Sequence, residues 1–71
     1  MLKISLAAAR VNAGLSQKKA SKELHVSNGT LMRWEKGISF PPADMVAKIC
    51  ELYGVPYDAI NFLPSNSLKE N

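Results

Sequence analysis

The sequence predicts an all-α domain, a compact bundle of five helices around one small core. Apolar residues recur at helical spacing, no stretch alternates like a strand, and glycine and proline lie only between the apolar segments. With 71 residues, 46% of them hydrophobic, the chain supports one domain. A core of this size leaves only about a few kcal/mol of net stability, so helix caps and a partner subunit should matter.

The first three predicted helices begin or end at capping residues. Their spans are residues 2–13, Ser16 to about Leu24, and Ser27 to about Lys36. Serine is a favoured N-cap, and Gly14 and Gly37 are suited to ending the first and third helices. In the third helix, Leu31 and Trp34 are spaced to face the core.

Two further helices are predicted after an extended connection over residues 38–41. Pro42 fits the first turn of the fourth helix, and Gly54 closes it. The inward positions of that helix are Val46, Ile49, Cys50 and Tyr53. Pro56 opens a short fifth helix carrying Tyr57, Ile60 and Leu63. We therefore predict a domain over residues 1–64 and a polar, frayed tail over residues 65–71.

Charge is distributed unevenly along the chain. Residues 1–40 hold seven basic and two acidic side chains, a net of +5, whereas residues 41–71 hold two basic and four acidic ones, a net of −2. The first part is therefore suited to meet a polyanion.

The residues that catalysis or a metal would need are scarce. The chain has one histidine, His25, and one cysteine, Cys50, so we expect no enzyme activity, metal, cofactor or small-molecule ligand. No apolar run approaches the roughly 20 residues of a membrane span, and Met1-Leu2-Lys3 does not open a signal peptide. We expect a cytoplasmic protein.

Residues 16–37 form the most informative segment. Two short helices joined by a tight turn, with a polar and basic second helix, are typical of a helix-turn-helix. At 100° per residue the polar face of that second helix comprises Asn28, Gly29, Met32, Arg33 and Lys36. A generic surface helix would show the same partition.

From Gly14 to Gly37 the chain reads GLSQKKASKELHVSNGTLMRWEKG, and this segment resembles the phage-repressor and Cro family of helix-turn-helix proteins. The resemblance implies a lambda-repressor-like fold and a double-stranded, palindromic operator, with the protein associated with the nucleoid when bound. Because one recognition helix covers only about half a turn of groove, we expect a homodimer on DNA, with its contact over residues 57–63. The segment departs from the family pattern at Ser21, His25 and Gly29. His25 replaces a turn glycine, and Gly29 stands where relatives often have a base-reading side chain.

The resemblance and the chemistry of base edges suggest four base contacts. Asn28 suits the N7 and N6 edge of adenine, and Arg33 suits the O6 and N7 edge of guanine. Met32 could touch a thymine methyl, and Thr30 a base or a phosphate. The alternatives are a turn dipeptide at Asn28-Gly29, a solvated arginine and a half-exposed methionine.

Backbone contacts and one structural ion pair complete the expected site. The expected phosphate contacts are Arg10, Gln17, Lys18, Ser27 and Lys36. The resemblance implies that Gln17 also braces the third helix. In this family an arginine of the first helix pairs with a glutamate of the third, which implies a bridge between Arg10 and Glu35. The alternative function is an antitoxin or adaptor that binds a protein; the sequence leaves the operator, the sign of regulation and the full length of the protein open.

Overall fold

The computed structural model describes residues 3–62. Its elements in chain order are β1 (Ile4–Ser5), α1 (Leu6–Asn12), α2 (Gln17–Glu23), α3 (Asn28–Lys36), α4 (Ala43–Tyr53), a 3₁₀ turn (Tyr57–Ala59) and β2 (Ile60–Asn61). No helix among these residues is long and apolar enough to cross a membrane.

Three of the four helices begin at a serine cap. The hydroxyls of Ser5, Ser16 and Ser27 each accept a hydrogen bond from the backbone N–H three residues later, at 3.0 Å. Each such cap contributes about 1 kcal/mol to helix stability. The caps predicted at Ser16 and Ser27 are confirmed, whereas Pro42 is the residue before α4 and not its first helical residue.

The prediction of five helices without a sheet was wrong at both ends of the fold. α1 begins at Leu6, because Ile4 and Ser5 pair in parallel with Ile60 and Asn61. The predicted fifth helix is a three-residue 3₁₀ turn, after which Ile60 is extended. Ile60 is 2% exposed, so the strand pair closes one side of the core. The remainder of that helix prediction, at Leu63, and the predicted tail lie outside the described residues.

The core draws on every helix. Its buried apolar residues are Leu6, Ala9, Ala20, Leu24, Leu31, Trp34, Ile49, Tyr53 and Ile60. Leu31 of α3 and Ile49 of α4 are both fully buried. Because α3 contributes Leu31 and Trp34 to this cluster, its orientation relative to the other helices is fixed by packing.

Helices α2 and α3 end in the same backbone motif. After α2, His25 N–H donates to the Lys22 carbonyl and Val26 N–H donates to the Ser21 carbonyl, and Gly37 and Ile38 repeat the pattern after α3. This Schellman arrangement needs a left-handed residue, supplied by Gly37 at φ +76° and by His25 at φ +59°. His25 therefore takes the conformation that the family usually reserves for glycine.

Candidate nucleic-acid interface

Helix α3 turns one polar face outward. Its exposed residues are Asn28, Gly29, Met32, Arg33 and Lys36. On the opposite side Leu31 is 0% exposed and Trp34 is 6% exposed. The face predicted from helical spacing is therefore the solvent-exposed face, and the opposite face of the helix packs against the core.

The first turn of α3 is closed by a pair of hydroxyls. Ser27 Oγ accepts from the Thr30 N–H at 3.0 Å and donates to Thr30 Oγ1 at 2.9 Å. Ser27 is exposed and Thr30 is half-buried. The Thr30 hydroxyl retains its own hydrogen, which it can donate outward.

An ion pair joins α1 to α3. Arg10 Nε donates to Glu35 Oε2 at 2.7 Å, and Arg10 Nη2 lies 3.5 Å from Glu35 Oε1. Arg10 Nη1 also donates to the Leu15 carbonyl at 2.9 Å. The two charged side chains are 14% and 7% exposed. Arg10 thus directs three of its nitrogens into the protein.

Gln17 extends this ion pair to the start of α3. Its Nε2 donates to Glu35 Oε1 at 3.0 Å, and its Oε1 accepts from Asn28 Nδ2 at 3.3 Å. Hydrogen bonds therefore run from Arg10 through Glu35 and Gln17 to Asn28. We call these four residues the bracing network. It ties both ends of α3 to the first residue of α2.

Unpaired cations lie on the outward face of α3 and at the start of α2. Lys18, Arg33 and Lys36 are all exposed. Within residues 3–62 the one ion pair is Arg10–Glu35, so these three cations keep their charge available. Met32 is 36% exposed and adds an apolar contact surface to the same face.

Gly29 has room for a side chain. A Cβ at this position would meet only the Ser27 hydroxyl, at 3.9 Å, among the described residues. A glycine within a helix costs about 0.5–1 kcal/mol relative to alanine. Nothing in the packing of the described residues explains this glycine.

The resemblance implied that Gln17 braces the third helix, but sequence reasoning did not identify its hydrogen bonds to Glu35 and Asn28. It also missed the Leu15 carbonyl as a partner of Arg10. The contacts of Gln17 depend on how α2 sits against α3, and the contact of Arg10 with Leu15 depends on the turn between α1 and α2. Residue spacing specifies neither. Cys50 is half-buried, and burial raises the pKa of its thiol, which disfavours the reactive thiolate.

Tyr53 lies close to the bracing network. It is 6% exposed, and its buried hydroxyl has no hydrogen-bond partner among residues 3–62. Burial, and secondarily the negative charge of Glu35, raise the pKa of Tyr53 to about 12, against a smaller lowering by Arg10. The folded protein therefore disfavours the phenolate.

The Tyr53→Phe variant should remove one source of alkaline instability. The pKa of Tyr53 is higher in the folded chain than in the unfolded one, so the neutral phenol favours folding. This contribution to the free energy of unfolding is unchanged below pH ~10 and is lost as the pH rises to about 12. At pH 11, midway through this range, we expect the loss to be about 1–2 kcal/mol in the wild type and absent from the variant. At pH 7 the variant should be as stable or more stable, because an unpaired hydroxyl is removed. Urea unfolding at pH 7 and pH 11 measures both; an identical loss in both proteins would contradict the assignment.

The chain matches the family described as helix-turn-helix over residues 6–60. It belongs to this family, as its resemblance to phage repressors and Cro predicted. Among curated proteins it is similar to the HTH-type transcriptional regulator ImmR of Bacillus subtilis (strain 168), with 36% identity over 50 residues. That match covers 70% of this chain and 39% of ImmR, so the chain spans about two fifths of its relative. No solved structure gives a significant match.

Proposed function

We propose that this chain is a sequence-specific, double-stranded DNA-binding transcriptional regulator of the Cro and repressor type. In this proposal α3 is the recognition helix, which enters the major groove of an operator. The observation that carries the proposal is the exposed polar face of α3, held from behind by Leu31 and Trp34. A major groove about 12 Å wide admits one such helix.

The outward side chains fall into two groups, those that can reach base edges and those that can reach phosphates. We assign base edges to Asn28, Thr30, Met32 and Arg33, and phosphates to Gln17, Lys18, Ser27 and Lys36. Arg10 was also expected near a phosphate, but its three internal contacts and 14% exposure favour a bracing role. The charge distribution agrees, because the phosphate backbone attracts the basic part of the chain.

Binding of this kind requires neither a cofactor nor a catalytic group. Hydrogen bonds to base edges supply sequence information, and cations meeting phosphates supply affinity. The name of the relative ImmR, a transcriptional regulator, supports the same function. We therefore propose a DNA-binding protein and not an enzyme.

We propose an apolar face beside α4 as the contact for a second copy of the chain. A groove of about 480 Å³ is lined by Phe40, Tyr57 and Phe62. Phe40 is 58% and Tyr57 is 65% exposed, and the Tyr57 and Phe62 rings stack at 5.8 Å. We call these three residues the dimer face. It includes Tyr57 and Phe62 from the contact that we expect over residues 57–63, and we propose that it pairs two copies on DNA.

Selection of bound duplexes from a random library tests the function and the dimer together. We expect a selected site with two-fold symmetry, whose half-sites lie about one helical turn, roughly 34–36 Å, apart. A selected site without symmetry would contradict the dimer. Failure to select any sequence, together with capture of a protein partner, would favour the adaptor or antitoxin alternative.

A matched pair of variants assigns the dimer face. Tyr57→Lys should weaken binding to the full site by about tenfold or more, because buried aromatic anchors dominate interface energies. It should leave binding to an isolated half-site unchanged. Val11→Lys is the control, since Val11 is 60% exposed on α1 and does not line the groove. Equal losses on the full site and the half-site would mean that Tyr57 does not act through dimerisation.

A further inference from the structure

We infer that Gly29 opens a notch in the outward face of α3, and that this notch receives the C5-methyl group of one pyrimidine in the major groove. The chain then distinguishes a methylated pyrimidine, thymine or 5-methylcytosine, from its unmethylated counterpart, uracil or cytosine, at that position. The inference rests on the proposed function, since it requires that α3 lies in the major groove. It gives a role in DNA recognition to a residue that has no side chain. We call the space above Gly29 the methyl notch.

The backbone does not require a glycine at position 29. Gly14, Gly37 and Gly54 have φ between +71° and +78°, the left-handed region that glycine tolerates best. Gly29 does not have a positive φ; it lies in the first turn of α3, where other residues adopt the same conformation. A glycine within a helix is less favourable than an alanine. The missing side chain therefore lowers the stability of α3 without serving its conformation.

The space above Gly29 is open and borders the reading side chains of α3. A Cβ at this position would meet only the Ser27 hydroxyl, at 3.9 Å, among the described residues. Residues three and four positions later lie on the same side of a helix, and their side chains lean back toward its N-terminus. Met32 and Arg33 therefore border the methyl notch. Both of them and Gly29 are exposed, so the notch is accessible to a base edge.

The chemistry of the methyl notch suits an apolar group. Base pairs present hydrogen-bond donors and acceptors in the major groove, and the C5-methyl of thymine is the apolar exception. The notch has an apolar floor, the Cα of Gly29, and an apolar wall, Met32, which is 36% exposed. A methyl group leaves water favourably for such a site, whereas a donor or acceptor placed there would lose its hydrogen bonds to water.

The test adds or removes single methyl groups in the selected operator. Each thymine is replaced in turn by uracil, and each cytosine by 5-methylcytosine, so every base pair is covered and one methyl group changes at a time. We expect a position at which the methyl group raises the affinity of the wild type about three- to fivefold, the factor for burial of one such group. A thymine at that position means that the notch reads an ordinary base. A cytosine there means that binding depends on methylation of the DNA.

Gly29→Ala moves the methyl group from the DNA to the protein, because the new Cβ occupies the methyl notch. At the same position this variant should bind the unmethylated duplex as well as the methylated one, or better. It should also melt about 2–8 °C higher than the wild type, since a glycine leaves a helix, so the altered preference cannot come from unfolding. Met32→Ala removes the apolar wall and should reduce the wild-type preference by about half.

Lys36→Ala is the matched control, since it shortens another exposed side chain of α3 and leaves the methyl notch open. It should lower affinity for the methylated and unmethylated duplexes alike and keep their ratio. The inference is overturned if no single methyl group changes the affinity of the wild type, or if the wild-type preference persists in Gly29→Ala. A wild type that selects no sequence would instead overturn the proposed function itself.

Discussion

Replacing Glu35 with alanine should destabilise the domain by about 3–5 kcal/mol, the usual cost of removing one partner of a buried ion pair. The side chain of Glu35 is 7% exposed and accepts from both Arg10 and Gln17. Its loss would leave the Arg10 guanidinium, 14% exposed, without a counter-charge. A domain of 71 residues has a total stability of roughly 4–10 kcal/mol, so this variant should be largely unfolded well below the wild-type melting temperature.

Glu23→Ala is the matched control for this experiment. Glu23 ends α2, is exposed and forms no ion pair within residues 3–62, so its removal should change stability by no more than about 0.5 kcal/mol. In a domain of this size, 1 kcal/mol corresponds to about 4–8 °C in the melting temperature. Thermal melts therefore separate the two variants easily. Equal shifts would mean that the carboxylate of Glu35 is solvated in solution.

A double replacement separates the effect of the ion pair on the stability of the domain from its effect on the Gln17 side chain. Changing Arg10 to methionine and Glu35 to leucine removes both charges and leaves neither partner unpaired. Buried ion pairs replaced in this way are often neutral or stabilising. We expect the double variant to be folded but to lack the Glu35 carboxylate, which accepts the hydrogen bond from Gln17 Nε2.

The local signals in the sequence were sufficient to place the two helices of the helix-turn-helix, whereas their assignment to that motif needed the family resemblance. Ser16 and Ser27 precede their helices, and Gly37 ends the third, because capping depends on residues only a few positions apart. The exposed and buried faces of α3 also followed from helical spacing alone. The pairing of Arg10 with Glu35 came instead from the family resemblance, since 25 residues separate the two positions.

The elements that the sequence did not predict depend on distant contacts. A strand of two residues, such as Ile4–Ser5, is too short to show alternation, and its pairing with Ile60–Asn61 joins opposite ends of the described chain. The apolar spacing of Tyr57 and Ile60 is equally compatible with a helix, so the 3₁₀ turn was not distinguishable. The contact of Gln17 with Asn28 depends on the angle between α2 and α3, which residue spacing does not specify.

Variants of the two exposed cations Arg33 and Lys18 should separate sequence-specific base recognition from non-specific electrostatic attraction to the phosphate backbone. Arg33 lies on the outward face of α3 and has no ion-pair partner within residues 3–62. A planar guanidinium can present two parallel donors to O6 and N7 of one guanine. Lys18 is the second residue of α2, and we propose that its single ammonium group meets a phosphate. The two charges are equal, so a difference between their variants must come from what each side chain contacts.

Arg33→Ala should cost about 1–3 kcal/mol on the selected operator and relax the preference at one base pair. Arg33→Lys retains the charge but loses the two parallel donors of the guanidinium. It should therefore relax the preference at the same base pair while keeping more of the affinity. Lys18→Ala should weaken binding to the operator and to random DNA alike, and should flatten the slope of log K against log salt by about one. Binding isotherms on both duplexes at several salt concentrations measure these effects, and all three variants should melt like the wild type, because both side chains are exposed. If Arg33→Ala lowered affinity equally for every sequence, Arg33 would be a phosphate contact, and reading would rest on Asn28, Thr30 and Met32.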